Sequence, residues 1–105
     1  MKKRFCLVTT TFQDLKEAKK IMKVLLEKKL IATATILPST SLFLAGEKVI
    51  HNQEFKIEMK TKKSLYKKIE KELLNIKSSE ILQLCVYDIL EGTQEYLKWI
   101  EEETT

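Results

Sequence analysis

Few side chains in this sequence could do covalent or metal chemistry, and they lie far apart. The chain of 105 residues has two cysteines, Cys6 and Cys85, and one histidine, His51. The cysteines match neither a zinc-site spacing nor a Cys-x-x-Cys motif. We expect both to be buried, reduced thiols, and His51 to be exposed or hydrogen-bonded rather than a ligand. If the cysteines met on adjacent strands, a two-thiolate copper(I) contact would be the only intrachain metal site with chemical sense.

The sequence contains no pattern typical of an active site. Gly46 and Gly92 are the only glycines, so there is no glycine-rich loop to hold a phosphate. No serine or cysteine lies at a useful spacing from a general base. We therefore expect a protein that is not an enzyme.

Charge and hydropathy exclude two classes of partner. The formal net charge is +4, and Arg4 is the only arginine among 19 basic residues. Specific nucleic-acid contacts favour arginine, so the lysines are expected to form a solvated surface. No apolar run approaches the roughly 18 residues of a membrane helix, and the apolar run after Arg4 is too short for a signal peptide. We expect one cytoplasmic domain, residues 1–105, that binds neither nucleic acid nor membrane.

Hydrophobic periods of two and of 3.6 residues divide the chain into strands and helices. Strands are predicted at Arg4–Thr11, Leu30–Leu44, Val49–Thr61 and Ile81–Ile89. Helices are predicted from Asp14 to about Lys28, over Ser64–Ile76, and after a Thr93 cap. The order βαββαβ with an extra C-terminal helix predicts an α+β, ferredoxin-like antiparallel sheet. Right-handed crossovers give the strand order 4-1-3-2.

The segment Leu30–Leu44 is apolar at both strand parities, which predicts a strand covered on both faces. Pro38 should mark a bend, a bulge or an edge in it, because proline has no N–H to donate. Helices can cover only one face of the sheet, so the sequence predicts that a partner subunit covers the other. Lys56 and Glu58 would lie on that second face and would have to pair there.

Four separated segments resemble the CutA divalent-cation tolerance proteins. They are Leu30–Pro38, Thr40–Phe43, Lys60–Thr61 and Tyr96–Ile100. Their order and spacing match the family over essentially the whole chain. The resemblance implies a ferredoxin-like subunit in a compact homotrimer, with a role in tolerance of copper and other divalent metal ions. Copper or another divalent ion is the only cofactor that it implies.

The chain departs from the family where a soft-metal site would need its ligands. Thr33 stands where the family has a cysteine. Lys77, Ser78 and Ser79 replace the His-Pro-Tyr of a His-Pro-Tyr-Glu motif, of which only Glu80 remains. A threonine hydroxyl cannot replace a thiolate as a ligand for a soft metal.

The family fold also resembles the PII signalling proteins, whose lateral clefts bind small ligands. On this alternative, the protein is a PII-like signalling or scaffold trimer that binds a small ligand between subunits. Its candidate ligand-binding residues are Lys60, Glu80, Tyr96 and Trp99, because they match family positions and could converge at an intersubunit cleft. The competing interpretation is that Tyr96 and Trp99 pack their helix and that Lys60 and Glu80 form an ordinary ion pair. An acylphosphatase-like enzyme is discounted, because the segment from Thr9 to Gln13 carries no arginine to bind phosphate.

Overall fold

A computed structural model describes residues 4–76 and 82–105 of the chain. The strands are β1 (Phe5–Phe12), β2 (Thr33–Ala45), β3 (Lys48–Lys62) and β4 (Cys85–Asp88). The helices are α1 (Leu15–Glu27), α2 (Tyr66–Ile76) and α3 (Gln94–Glu103), with a 3-10 turn at Lys63–Leu65 before α2. The sheet order is β2-β3-β1-β4 with every pair antiparallel. The predicted α+β fold and the predicted strand order are confirmed.

The core lies between one face of the sheet and the helices α1 and α2. Alternate residues of β1 are buried, including Cys6 and Val8, as a strand with one covered face requires. Helix α1 buries Ala18, Ile21, Met22 and Leu25, and α2 buries Ile69 and Leu73. We call the opposite side, which bears Thr9, Lys56 and Glu58, the open face. Helix α3 lies against one end of the open face, where its Ile100 is fully buried.

Local signals in the sequence fix the ends of the helices and the tip of the hairpin. The Asp14 side chain accepts a hydrogen bond of 3.2 Å from the Glu17 N–H, and that of Thr93 accepts one of 3.4 Å from the Tyr96 N–H. Both are helix caps, as predicted. Gly46 takes a positive φ of 66° in the two-residue turn between β2 and β3. Glycine adopts this backbone conformation without steric cost.

Strand β2 begins at Thr33 rather than at Leu30, and it lies at the edge of the sheet, as the predicted strand order requires. Its side chains are exposed or only partly buried within the subunit, so the predicted cover by a partner subunit stays a prediction. Pro38 lies on this edge strand, where its missing N–H is tolerated. Among the described residues, β4 is shorter than predicted: Cys85–Asp88 pair with β1, while Leu82 and Leu84 pack against the core from outside the strand. Ile81 lies outside the described residues.

The β2–β3 hairpin extends past the rest of the sheet. Strand β1 pairs with β3 only as far as Phe12 opposite Phe55, and beyond that point no third strand among residues 4–76 and 82–105 accompanies the hairpin. We call residues 42–50 the distal arm. Its large apolar side chains, Leu42, Phe43, Leu44, Val49 and Ile50, are all exposed, Leu44 by 73%. Because paired residues alternate between the two faces, the distal arm is apolar on both sides.

None of the described helices is both long enough and apolar enough to cross a membrane.

Candidate functional site

Three of the four predicted cleft residues lie together on the open face. Lys60 of β3 places its Nζ 5.6 Å from the centre of the Tyr96 ring on α3. The Tyr96 and Trp99 rings are stacked, with centroids 5.9 Å apart and planes inclined by 16°. Residues three apart on a helix share one face, so Tyr96 and Trp99 project from the same side of α3. The Thr93 cap fixes where this helix begins. Glu80, the fourth candidate, lies outside the described residues.

The aromatic pair is held in place by contacts at the far end of α3. The Lys62 ammonium lies 3.4 Å from the Glu101 carboxylate and donates to the Thr104 carbonyl at 3.4 Å. Arg4 makes a second, more exposed ion pair with Glu101 at 3.4 Å. The Thr105 N–H donates to the Lys29 carbonyl, which ties the end of the chain to the end of α1. These contacts fix where α3 crosses the sheet.

Thr33 belongs to the same site, although it was not among the residues predicted for it. It lies opposite Lys60 in the β2–β3 register, so both side chains project from the open face. Its hydroxyl oxygen is buried and has no hydrogen-bond partner among the described residues. Leaving a buried polar group unpaired costs roughly 1–3 kcal/mol. We call Thr33, Lys60, Tyr96 and Trp99 the candidate cleft.

The packing of α3 bears on the interpretation that Tyr96 and Trp99 serve to pack their helix. Ile100 is fully buried, whereas Tyr96 and Trp99 remain 38% and 40% exposed. Within the subunit, Ile100 therefore supplies the apolar contact of the helix and the two rings keep open surface. A stacked pair of rings beside an ammonium can hold a planar or an anionic group. The predicted ion pair between Lys60 and Glu80 stays a prediction.

The structure does not bring the two cysteines together. Cys6 lies opposite Asp88, and Cys85 lies opposite Thr9, in the β1–β4 register. Because side chains alternate along a strand, Cys6 points into the core and Cys85 points to the open face. Cys6 is buried as expected, but Cys85 is exposed, so that expectation is wrong for Cys85. The two-thiolate contact considered from the sequence does not form within one subunit.

The protonation of Cys6 and the position of His51 also argue against a metal site. Burial raises the pKa of the Cys6 thiol to about 11, although Lys63 lowers it and Asp88 adds to the increase. A thiol that stays protonated is a poor metal ligand. His51 is exposed, opposite Leu42 on the hairpin. Within residues 4–76 and 82–105, no group of three or more histidine, cysteine or acidic side chains could hold a metal ion.

These features define a class of protein: a ferredoxin-like α+β subunit with a long apolar hairpin and a lysine–aromatic cleft on the open sheet face. Residues 6–103 match the family model of the CutA1 divalent ion tolerance protein. The chain belongs to this family.

Relatives of known sequence and structure agree with the assignment. The chain is 35% identical to the divalent-cation tolerance protein CutA of Archaeoglobus fulgidus over 92 residues, which cover 88% of this chain and 90% of the relative. The CutA protein of Pyrococcus horikoshii is 28% identical over 98 residues, covering 93% and 96%. The crystal structure of CutA1 from Shewanella sp. SIB1 superposes with a TM-score of 0.91 at 25% identity, covering 99% of this chain and 98% of that one. A structure of the A. fulgidus protein, described as periplasmic, gives 0.88 at 32% identity, covering 94% and 97%.

Proposed function

We propose that this divalent-cation tolerance protein acts as a non-enzymatic homotrimer in the response to copper and other divalent metal ions. The observation that carries the proposal is the family match, which spans residues 6–103. The trimeric assembly and the response to copper in this proposal rest on the family resemblance. The structure supports the assembly with an extensive apolar surface that the subunit leaves open.

The distal arm is the feature that favours assembly. Its five large apolar side chains are exposed on both faces of a hairpin that, in the described part of the chain, has no third strand beside it. Contiguous exposed apolar surface of this kind marks an interface, and each Å² removed from water contributes roughly 25 cal/mol. The outer edge of β2 adds a 13-residue strand without a neighbour in the sheet order. Long exposed edges are normally covered in stable proteins.

The charged residues of the open face fit an assembly in which that face is partly enclosed. Lys56 and Glu58 lie 4.0 Å apart on this face, so their charges are partly paired within the subunit. An ion pair that is already formed leaves less uncompensated charge to desolvate than two separate ions. The centre of the open face mixes these charges with the exposed side chains of Leu37 and Tyr87, whereas the distal arm carries five exposed apolar side chains next to one another. We therefore assign the main contact between subunits to the arm.

A role in metal tolerance would then be indirect or would depend on the assembly. The thiols of one subunit lie on opposite faces of the sheet, and Thr33 stands in place of the family cysteine. We infer that metal ions act through the candidate cleft, through sites completed at subunit boundaries, or through another protein. None of these routes requires catalysis.

The alternative is a PII-like signalling or scaffold trimer that binds a small ligand between subunits. The observation that favours it is the candidate cleft. There Lys60 lies over the Tyr96 ring of the exposed Tyr96–Trp99 stack and opposite Thr33, whose hydroxyl has no partner among the described residues. A thermal-shift screen of metal ions and nucleotides separates the two functions. A ligand that binds only the native state adds about 2.7 kcal/mol at a hundredfold excess over Kd. Stabilisation by a nucleotide, and not by metals, favours the alternative.

We also propose a cytoplasmic location. Both cysteines are free thiols, which a reducing compartment would keep reduced. The related A. fulgidus protein is described as periplasmic, so fractionation of cells that express the full-length protein is the appropriate test.

Growth of a deletion strain tests the proposed function. Cells that lack the protein should grow more slowly than wild-type cells in graded copper(II), and expression of the wild-type chain should restore growth. The double variant Cys6→Ser, Cys85→Ser should restore growth equally well, because the two thiols form no site within a subunit. Equal growth of the deletion strain and the parent in copper(II) and in other divalent metals would contradict a tolerance function.

A further inference from the structure

A groove runs between α1 and α2, on the side of the sheet away from the open face. The two helices cover that side of the sheet, and the core lies beneath them. The distal arm, the edge of β2 and the open face, to which we assign the contacts between subunits, include none of the residues that line this groove. The groove, which we call the helix groove, therefore stays in solvent in the assembly proposed above.

One half of the helix groove is apolar. It is a cavity of about 280 Å³ whose apolar walls are Ile21, Val24 and Leu25 of α1 and Ile76 of α2. Val24 and Ile76 are 39% and 45% exposed, so apolar surface from both helices meets water here. An apolar cavity of about 150 Å³ can hold a benzene ring. The apolar half thus has room for a leucine or phenylalanine side chain of a partner.

The other half of the helix groove is basic. It is a cavity of about 470 Å³ whose lining includes Lys28, Lys68, Lys71 and Asn75. Glu72 lines both cavities, so the two halves adjoin. The Lys28 ammonium lies 2.9 Å from the Glu72 carboxylate, and this ion pair neutralises both groups where the halves meet.

Lys68 and Lys71 supply the positive charge of the basic half. Within residues 4–76 and 82–105, no acidic side chain lies within 4.0 Å of either ammonium. The Asn75 amide, which lines the same cavity, can donate further hydrogen bonds. The basic half therefore offers two ammonium groups and an amide to a carboxylate, directly next to an apolar cavity.

Formal charge is distributed unevenly between the helical layer and the rest of the chain. Residues 14–29 and 63–76 hold ten basic and five acidic residues, a net charge of +5. The whole chain carries +4, so the remaining residues sum to −1. A surface of one sign attracts partners of the opposite sign and speeds their association. The helix groove lies in the part of the molecule that most favours an acidic partner.

The spacing of the two halves indicates the shape of that partner. Along α1, Val24 precedes Lys28 by four residues, or about 6 Å. Along α2, Ile76 follows Lys68 by eight residues, or about 12 Å. A partner helix that lies along the groove spans these distances with about four to eight residues.

The recessed position of the apolar surface favours a peptide over a membrane. The apolar side chains of Val24 and Ile76 line a cavity rather than protrude from a flat surface. An amphipathic helix reaches into such a groove with apolar side chains at i and i+3 or i+4. A lipid surface instead requires apolar side chains that project outward into it.

We propose that the helix groove docks an acidic amphipathic helix of another protein. Apolar side chains of that helix fill the apolar half, and its aspartate or glutamate side chains, one to two turns further along, pair with Lys68 and Lys71. This interaction goes beyond the proposed tolerance function and requires only that α1 and α2 face the solvent.

Peptide selection on the full-length protein tests the site. A phage-displayed library of 16-residue peptides is first depleted on the variant Val24→Gln and then selected on the wild type. The depletion favours peptides that use the apolar half without selecting for their charge. We expect the recovered peptides to carry a negative net charge, with acidic residues four to eight positions from the apolar ones. Each peptide is then labelled with fluorescein, and its Kd is measured by fluorescence polarisation.

Charge variants with a matched control locate the acidic end of the peptide. Lys68→Glu with Lys71→Glu should weaken binding of the labelled peptides at least tenfold. Lys16→Glu with Lys19→Glu makes the same change in net charge at exposed positions of α1 that line neither cavity. This control should weaken binding less than about threefold.

A second pair of variants locates the apolar end. Ile76→Gln removes apolar surface from the wall that faces Val24 and should weaken binding at least tenfold. Leu74→Gln, the control, changes an exposed residue of α2 that lines neither cavity and should leave binding unchanged. Circular dichroism and sedimentation velocity check that each variant is folded and keeps the mass of the wild type.

Four results would overturn the proposal. They are the recovery of neutral or basic peptides, the failure to recover any peptide that prefers the wild type to Val24→Gln, and equal weakening by the two lysine pairs, which would indicate a diffuse field. The fourth is binding of the wild type to vesicles of phosphatidylcholine with about 30% phosphatidylserine that Ile76→Gln loses, which would assign the groove to a membrane. If the Lys68, Lys71 variant does not fold, the charge of the recovered peptides and the loss in Ile76→Gln decide the matter.

Discussion

Cys6 and Cys85 lie on neighbouring strands of the sheet but on opposite faces. In the β1–β4 register Cys6 is opposite Asp88 and Cys85 is opposite Thr9, three positions away. An odd separation in a pleated strand reverses the side on which a residue projects. The sheet itself therefore stands between the two thiols, and no side-chain rotation can bring both to one metal ion.

Copper binding should accordingly not depend on these thiols within a subunit. We expect copper(I) titration of the wild-type protein to show no submicromolar site that requires both cysteines, since tight sites need converging ligands. The double variant Cys6→Ser, Cys85→Ser should give the same titration curve. Submicromolar binding that the double variant loses would show that the thiols do cooperate, and tight binding that it retains would reveal ligands elsewhere.

The Cys6 thiol should be inert while the protein is folded. In the Cys85→Ser variant, Cys6 is the only thiol, and burial raises its pKa from 9.0 to about 11. At pH 8 the lower thiolate fraction alone slows reaction with a disulfide reagent about 100-fold relative to the unfolded chain. Equal rates for the folded protein and the chain in guanidinium would contradict the burial of Cys6.

The same shift in pKa makes stability depend on pH in a defined direction. Folding favours the protonated thiol, so the contribution of Cys6 is fully present below about pH 9 and is lost as the pH rises towards about 11. The difference in free energy of unfolding between Cys85→Ser and the double variant Cys6→Ser, Cys85→Ser should shrink over this interval. A difference that stays constant from pH 8 to pH 11 would contradict the shift.

A single hydrogen bond between β3 and the segment after α1 should be worth a measurable part of the stability. The buried hydroxyl of Thr61 donates to the Leu30 carbonyl at 2.6 Å. Thr61→Val keeps the shape of the side chain but leaves that carbonyl unpaired, so we expect a loss of about 1–3 kcal/mol in urea unfolding at fixed protein concentration. The matched change Thr40→Val removes an exposed hydrogen bond to Gln53 and should cost less than about 0.5 kcal/mol. Equal losses of unfolding free energy in the two variants would mean that burial does not strengthen the contribution of the Thr61 hydrogen bond.

The elements that were predicted correctly are those whose signals are local. The alternation of β1 and the helix starts at Asp14 and Thr93 each depend on a few neighbouring residues, so the sequence alone specifies them. Within the subunit, Lys60 lies beside Tyr96 and Tyr96 beside Trp99, but the intersubunit cleft that the family resemblance implies for these residues stays a prediction.

The predictions that failed or stayed open depend on distant pairing. The apolar residues of β2 predict cover on both faces, but their parity cannot tell which chain supplies that cover, so cover by a partner subunit stays a prediction. The orientation of Cys85 depends on the β1–β4 register, which no local pattern specifies. The role of Thr33 was missed for the same reason, because its link to Lys60 exists only through strand pairing.

Charges placed on the distal arm should break the assembly without unfolding the subunit. We expect Leu42→Lys with Leu44→Lys to weaken association by about 3–6 kcal/mol, because burying a leucine contributes about 1.5–3 kcal/mol. Leu74→Lys on α2 is the control: Leu74 is 47% exposed, but it lies outside the arm. Circular dichroism should show that both variants are folded. Only the arm variant should dissociate. Equal dissociation by Leu74→Lys would place the interface on the helices instead.

The mass of the wild-type protein in solution tests the homotrimer most directly. Sedimentation velocity at micromolar concentration should show one species with three times the mass of the chain, because the distal arm and the edge of β2 leave apolar surface that one subunit cannot cover. A stable monomer at the same concentration would contradict the trimer.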